Sequence, residues 1–460
     1  MLSPTAIIAI FAVAAVVASP APAPAPQAVS SVVSAASSIF SSATGAAENA
    51  LQTAILAIPS LDDIEKELRL DPNSSDLANI STSALLIPSY ANQTDQGWNI
   101  RFYGLAYKQP QNISTSGLDK IINGLHTDNL NDTETSLLQN RTTALASIPV
   151  PHANFTANVL QNGTNVTSQP LNLTTADASG EFDQFITVSQ SRVIGNGVQV
   201  VETGILNATG PDNSTAILVP SQGISVVSDI DDVLRITKVY VPNQGLFNSF
   251  VEPYVNVPGI PELFAQWEKK LPNVSFHYDT TTPVQLTRTY VDYLFNNFPL
   301  GSLEMRPVNI SEPSQILDAR QNSLLKLFQT FPQRKFVLVG DTSSSTLLSA
   351  YPQIAQQFPQ QIACIFIRNT SSTDSDDKLP YDTSDFQKLD NSTYFFYRVA
   401  EDLANLDIVS GQCVNSSIPQ NVTYGEQGGV LDSAAILINT SRAKLAAWAV
   451  GAVVGLFMVV

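Results

Sequence analysis

From residue 97 to about 221, apolar and polar positions alternate in short runs, at 98–104, 154–159, 182–188 and 199–206. Period-two runs of this length, separated by Asn, Gly and Ser clusters, predict an antiparallel β-sandwich over residues 96–222. Residues 118–143 depart from the pattern, with Leu and Ile at helical spacing. From Gly223 the pattern changes. Short apolar runs at 224–228, 274–278, 335–339 and 362–367 alternate with longer amphipathic stretches at 259–271, 285–295, 313–331 and 347–358. This alternation predicts an α/β domain over residues 223–405, a Rossmann-like parallel sheet covered on both faces. Ligands of such sheets bind at the carboxyl ends of the strands, and those ends are where chemistry is sought.

Outside these regions the reading rests on composition. Residues 1–18 are apolar and uncharged and run directly into Pro20-Ala21-Pro22-Ala23-Pro24, which predicts a secretory signal peptide. Residues 19–95 read as a low-complexity and helical arm, with a first charged helical stretch at 64–70. After a tail at 406–433, residues 434–460 carry the pattern of a glycolipid-anchor signal. Ser433-Ala434-Ala435 is followed by a spacer with Arg442 and Lys444, then by an apolar run. The shortness of that run, with no basic residue after it, weighs against a tail-anchor helix. Asn-x-Ser/Thr sequons recur from Asn73 to Asn439. Together these features predict an exported glycoprotein, secreted and held by a lipid anchor at the outer face of the plasma membrane or in the cell wall.

The formal charge of −17 argues against a nucleic-acid partner and gives no general attraction to anionic membranes. The two cysteines, Cys364 and Cys413, form either one disulfide or two buried thiols. With three His beside them, a zinc site of ordinary ligand spacing is excluded. Oligomeric state is not encoded in any pattern here.

The first apolar strand ends in Ser228-Asp229-Ile230-Asp231-Asp232, three carboxylates within four residues. Such a cluster repels itself unless a cation or a phosphate-handling role accounts for it. The second ends in Asp279-Thr280-Thr281-Thr282, a row of hydroxyls, and the third in Gly340-Asp341-Thr342-Ser343. Arg320 lies on the helix entering that third strand. Asp232 also reads as a turn cap and Asp341 as a turn residue. His277, Tyr278 and Trp267 read as packing.

The order Asp-x-Asp, Thr, basic residue, Gly-Asp resembles the haloacid-dehalogenase-type phosphatases. Residues 223–368 are similar, more closely, to the catalytic domain of the fungal actin-patch phosphatidate phosphatases. The segments that carry the likeness are SDIDDV with Thr237 after it, VPGIPELF at 257–264, FHYDTTTPVQL at 276–286, FPLGSLEMR at 298–306, FPQRKFVLVGD at 331–341 and IACIFIRN at 362–369. The β-rich region before them resembles the segment preceding that family's catalytic domain. The resemblance implies a Mg²⁺-dependent hydrolase of a phospholipid or other phosphomonoester. Asp229 would be the nucleophile, and Asp231 the general acid and base. Thr280 and Arg320 would hold the phosphoryl group. Asp229, Asp341 and the backbone carbonyl of Asp231 would be the metal ligands.

Three positions depart from the family pattern. Thr346 stands where a second acidic residue is expected, Asp279 where an apolar one is, and Arg320 where the family has Lys. They leave a rival expectation, a catalytically silent surface glycoprotein that uses the fold as a binding or structural module.

Overall fold

The computed structural model describes residues 75–110, 129–174, 179–189, 197–210, 213–241, 244–307, 313–377, 381–418, 420 and 426–427. The signal peptide, most of the arm, the helical spacing at 118–128 and the anchor signal lie outside the described residues.

Period-two patterning folds as expected in β5 (Asn154–Gln161), where alternate residues are buried along the strand. Its companions are β1 (Ser83–Leu86), β2 (Ser89–Thr94), β3 (Gly97–Lys108), β4 (Ile148–Pro149), β6 (Thr164–Asn165), β7 (Leu171–Thr174), β8 (Glu181–Val188), β9 (Gln199–Ile205) and β10 (Asn213–Val219). The expected sandwich of two sheets resolves instead into one hydrogen-bonded sheet of ten strands. Every pairing is antiparallel except that of β10 with β2. The reason lies in β3, whose 12 residues exchange neighbours along their length. One edge pairs with β8 from Trp98 to Leu105 and with β4 at Tyr107 and Lys108, and the other pairs first with β2 and then with β1. Gly104 permits this: a Cβ there would stand 2.2 Å from the Leu85 carbonyl oxygen. Ile100 and Phe102 of β3 share one core with Phe155 of β5 and Leu218 of β10. A one-turn helix, α1 (Ser75–Ala78), precedes the sheet, and α2 (Asp132–Leu145) is inserted within it. Asn131 caps α2 by accepting from the amides of Thr133 and Glu134, with Glu134 returning the bond.

The second region is the expected α/β unit. Its strands are β11 (Ile224–Asp229), β12 (Ser275–Pro283), β13 (Gly301–Arg306), β14 (Lys335–Asp341), β15 (Ile362–Arg368) and, after the short β16 (Tyr381–Asp382), β17 (Tyr394–Tyr397). These six form a parallel sheet in the order β13-β12-β11-β14-β15-β17, while β16 pairs apart from it with β18 (Glu426–Gln427). Helices α3 (Gln244–Phe250), α4 (Ile260–Lys270), α5 (Thr287–Asn297), α6 (Pro313–Thr330) and α7 (Ser345–Gln357) connect them.

Burial on both faces explains why the strands read as continuous apolar runs. Val226 of β11 packs in one core with Phe264 and Trp267 of α4 and Tyr290 of α5. Val227 turns to the other, with Leu324 and Phe328 of α6 and Tyr351 of α7. Cys364 of β15 is disulfide-bonded to Cys413, Cα to Cα 5.4 Å, so the paired alternative holds and the segment after β17 is tied to the sheet.

Candidate active site

Parallel register gathers the acidic strand ends. Asp229 closes β11 and lies beside Asp279 of β12, with Thr280 one residue on. On the other side β14 ends in Asp341, in register with Arg368 of β15. The sheet thus brings Asp229, Asp279, Thr280 and Asp341 to a single edge.

The loop after β11 is built around Asp232. This residue takes φ +57°, in the left-handed region, and its carboxylate accepts from the amides of Thr237 (3.0 Å), Lys238 (2.8 Å) and Val239 (2.9 Å). Asp232 therefore closes the turn, as its capping reading expects. The turn sets Asp231 and Arg235 face to face.

Asp231 is the most heavily bonded carboxylate of the site. Oδ1 accepts from Arg235 Nε and from the Thr237 hydroxyl, both at 2.8 Å, and Oδ2 accepts from the Thr280 hydroxyl at 2.8 Å. The Tyr290 hydroxyl reaches both oxygens, at 3.2 and 3.4 Å. Burial pushes this carboxyl up, but Arg235 and the hydroxyls of Thr237 and Thr280 outweigh it, and the group lies below the ordinary carboxylate range.

Asp229 is in the opposite state. Its Oδ1 accepts from the Ile230 amide at 3.0 Å and from Arg320 Nη2 at 3.4 Å. Burial, against the pull of Arg320 and with the fields of Asp231 and Asp279 added, pushes it up to about 7. Asp279 is pushed up to about 6, by burial first, with Arg320 opposing and Glu304 adding. Arg320 stands between the two, its Nε 3.8 Å from Asp279 Oδ2, beyond hydrogen-bond length. Its Nε and Nη1 are buried without a hydrogen-bond partner.

Asp341 turns Oδ1 to the amide of Ser343 (2.8 Å) and to its hydroxyl, while Oδ2 is buried without a partner. Burial, together with the charges of Asp229 and Asp232, holds this carboxyl well above its usual range. A buried carboxyl raised by the charge of Asp229 and left with an orphaned oxygen fits a hard divalent cation such as Mg²⁺. That ion takes one or two carboxylates and completes its shell with other oxygens. Among the described residues no group of three or more His, Cys, Asp or Glu side chains gathers in metal-binding geometry. Thr346 sits buried in the first turn of α7, its hydroxyl 3.3 Å from that of Ser344, and brings no charge.

Thr280 and Arg320 also line a cleft of about 260 Å³. Its far wall comes from the first region, through Arg101 and Tyr103 of β3 and Asp183 of β8. Asp229, Asp231 and Asp341 are not among its lining residues. His277 is a packing residue, as expected. Its ring lies between the hydroxyls of Ser275 (3.0 Å) and Ser302 (2.8 Å), and burial, with Arg334 and Arg101 beyond it, pulls it down to about 3.

The sequence reading missed Arg235 and Tyr290. The i,i+4 spacing of Asp231 and Arg235 was a usable signal; nothing in the sequence around Tyr290 pointed to Asp231.

Residues 224–369 match the family model described as "Phosphatidate phosphatase APP1, catalytic domain". The phosphatidate phosphatase APP1 of Saccharomyces cerevisiae is 31% identical over 188 residues, covering 38% of this chain and 31% of that protein. An uncharacterised protein of Schizosaccharomyces pombe, C29B5.04c, is 29% identical over 187 residues, covering 37% of this chain and 30% of that one. Over residues 224–369 the chain is similar to the APP1 catalytic domain. The chain spans about a third of the length of the curated relatives it matches. Asp229, Asp231, Thr280, Arg320 and Asp341 all fall inside the APP1-type segment, whereas Arg101 and Asp183 fall outside it.

Proposed function

We propose that the APP1-type segment is a haloacid-dehalogenase-like, Mg²⁺-dependent phosphomonoester hydrolase working through an aspartyl-phosphate on Asp229. Phosphatidate, the substrate in the relative's name, is the first candidate. The observation that carries the reading is Asp229 itself, the last residue of a central strand, buried and bonded by Arg320 at 3.4 Å.

The Asp229 carboxylate attacks phosphorus, and the bond to the leaving oxygen breaks. Arg320 and Thr280 hold the transferring group, whose charge replaces Asp229 as the partner of the guanidinium. Asp231 starts ionised. A phosphate dianion beside it draws the Thr280 hydroxyl to itself and adds like charge, which moves Asp231 toward the protonated form that serves the leaving oxygen. The same group then takes the proton of the water that releases phosphate. Asp229, Asp341 and the backbone carbonyl of Asp231 would hold the cation, which supplies charge neutralisation at the phosphoryl oxygens.

Asp279 favours a second reading, a silent surface module. It adds a third carboxylate beside the nucleophile, and Thr346 supplies no acid to the metal side. Phosphate release by the full chain from phosphatidate and from an aryl phosphate, with and without Mg²⁺ and beside Asp229→Asn, separates the two. Metal-dependent release that the substitution abolishes supports the hydrolase. A folded protein that releases nothing at any Mg²⁺ concentration is the silent module.

We further propose export to the outer face of the plasma membrane or wall, held by a lipid anchor. Sequons along the chain and a disulfide suited to an oxidising compartment support this. An endoglycosidase mobility shift and release by a phospholipase that cleaves glycolipid anchors are the expected results. The loss of neither mass nor membrane association would contradict it.

A further inference from the structure

The residues that hold Arg235, which in turn fixes Asp231, are themselves contacted from outside the APP1-type segment. Arg235 donates from Nε to Asp231 and from Nη2 to the Ser249 hydroxyl at 2.8 Å and to Tyr290 at 3.1 Å. Its guanidinium carbon lies 4.0 Å from the centre of the Tyr254 ring. Arg141 of α2 also stacks on that ring, its guanidinium carbon 4.1 Å from the same centre.

Arg141 is buried, and its Nη1 donates to the carbonyls of Ser249 (3.1 Å) and Glu252 (2.7 Å). The Tyr254 hydroxyl donates to the Ser249 carbonyl at 3.1 Å, so Ser249 joins both guanidiniums and the ring. Tyr254 also packs edge-on against Tyr290, the other group that reaches Asp231. A desolvated cation over an aromatic face is held by the ring's quadrupole, and two such cations make Tyr254 a fixed spacer. The planar guanidinium suits this double task of stacking and forked donation better than an ammonium.

We infer that Arg141, acting through Tyr254 and Arg235, is a positioning residue for Asp231, and that the first region is thereby a working part of the hydrolytic site. The inference rests on the reading of Asp231 as the acid and base of that site. Arg141 touches neither Asp231 nor the reacting atoms. Without its guanidinium, Tyr254 and the 249–254 turn lose their outer support, and Arg235 gains freedom to leave Asp231.

The test exploits leaving-group chemistry. A displaced alkoxide needs a proton from Asp231, whereas a nitrophenolate leaves without one. In the full chain, Arg141→Met and Tyr254→Leu are expected to lower kcat/KM on dihexanoyl phosphatidate by about 10- to 100-fold, part of the usual worth of general acid catalysis. That ratio reports steps only up to departure of the leaving oxygen and not the later hydrolysis that Asp231 also serves. On p-nitrophenyl phosphate the same variants are expected to lose less than about threefold in kcat/KM. Tyr254→Phe, which keeps the ring, is expected to lose far less than Tyr254→Leu.

Equal losses on both substrates, or none, would overturn the inference, since a merely structural role lowers both alike. A crystal structure of Arg141→Met gives an answer independent of turnover. Arg235 displaced from Asp231 supports the inference, and Arg235 still bonded to it through Nε overturns it. Were the wild type to release phosphate from neither substrate, the hydrolase reading would fall, and the crystal structure alone would decide whether Arg141 positions Arg235.

Discussion

At the scale of single residues, the site holds its carboxylates in opposed states. Asp231 is stabilised as an anion by Arg235 and a ring of hydroxyls, while Asp229 and Asp341 are buried beside each other and resist ionisation. Function and stability are therefore expected to move in opposite directions at Asp341. Asp341→Asn should abolish Mg²⁺-dependent phosphate release yet raise stability in chelator, since it removes a buried carboxyl repelled by Asp229 and Asp232. Calorimetry with EDTA beside the activity assay checks both.

His277 gives a pH signature. Its folded value of about 3 lies below the usual 6.5, so below pH 6.5 the unfolded chain binds a proton that the folded chain does not. Stability from this residue is complete above pH 6.5 and falls toward pH 3 by up to about 1.4 kcal/mol per pH unit. Urea unfolding between pH 6.5 and 4 is expected to show a shallower pH slope in His277→Gln than in the wild type. The site carboxylates were legible because they cluster at apolar strand ends. His277, beside one such end, was legible as packing because its neighbours are strand residues. Tyr290 was not legible, because its hydroxyl meets Asp231 across 59 residues of chain.

At the scale of elements, strands with one periodicity were read in place and strands with mixed surroundings were not. β11, β12, β14 and β15 are buried along most of their length around short apolar-rich runs, and their parallel pairing followed. β13 follows Pro299-Leu300 and carries Gly301 at its start, so its pattern reads as a turn. β17 is only four residues long among Asp, Asn and Ser. The ten-stranded sheet was missed as one sheet because alternation tells which face is buried, not which strand pairs with which.

One link between sheets was invisible for the same reason. Arg101 of β3 donates to Asp183 of β8 at 2.7 and 2.9 Å, pairs with Glu304 of β13, and stacks 4.3 Å from the Tyr103 ring. Arg101→Met leaves two partly buried carboxylates without this partner. It is expected to cost about 2–3 kcal/mol, somewhat under the usual figure for a fully buried pair, as measured by denaturant unfolding.

At the scale of the whole molecule, two features join regions that the sequence kept apart. The disulfide closes a loop across a separation of 49 residues and anchors the segment after β17 to β15. Reduction, or Cys413→Ser, is expected to lower stability by about 4 kcal/mol on the loop-entropy estimate, read as a shift of the denaturant midpoint with and without reductant. The first region supplies Arg101 to one side of the candidate site and Arg141 to the other, so the APP1-type segment does not hold its acidic residues alone.

The claim on which the rest depends is that Asp229 is the nucleophile. The most direct measurement is acid quench of the full chain during turnover of an aryl phosphate with Mg²⁺, followed by peptide mass analysis. The account predicts a phosphate-mass increment on the peptide carrying Asp229, absent in Asp229→Asn. Steady release of phosphate with no labelled peptide, or with Asp229→Asn still turning over, would contradict it.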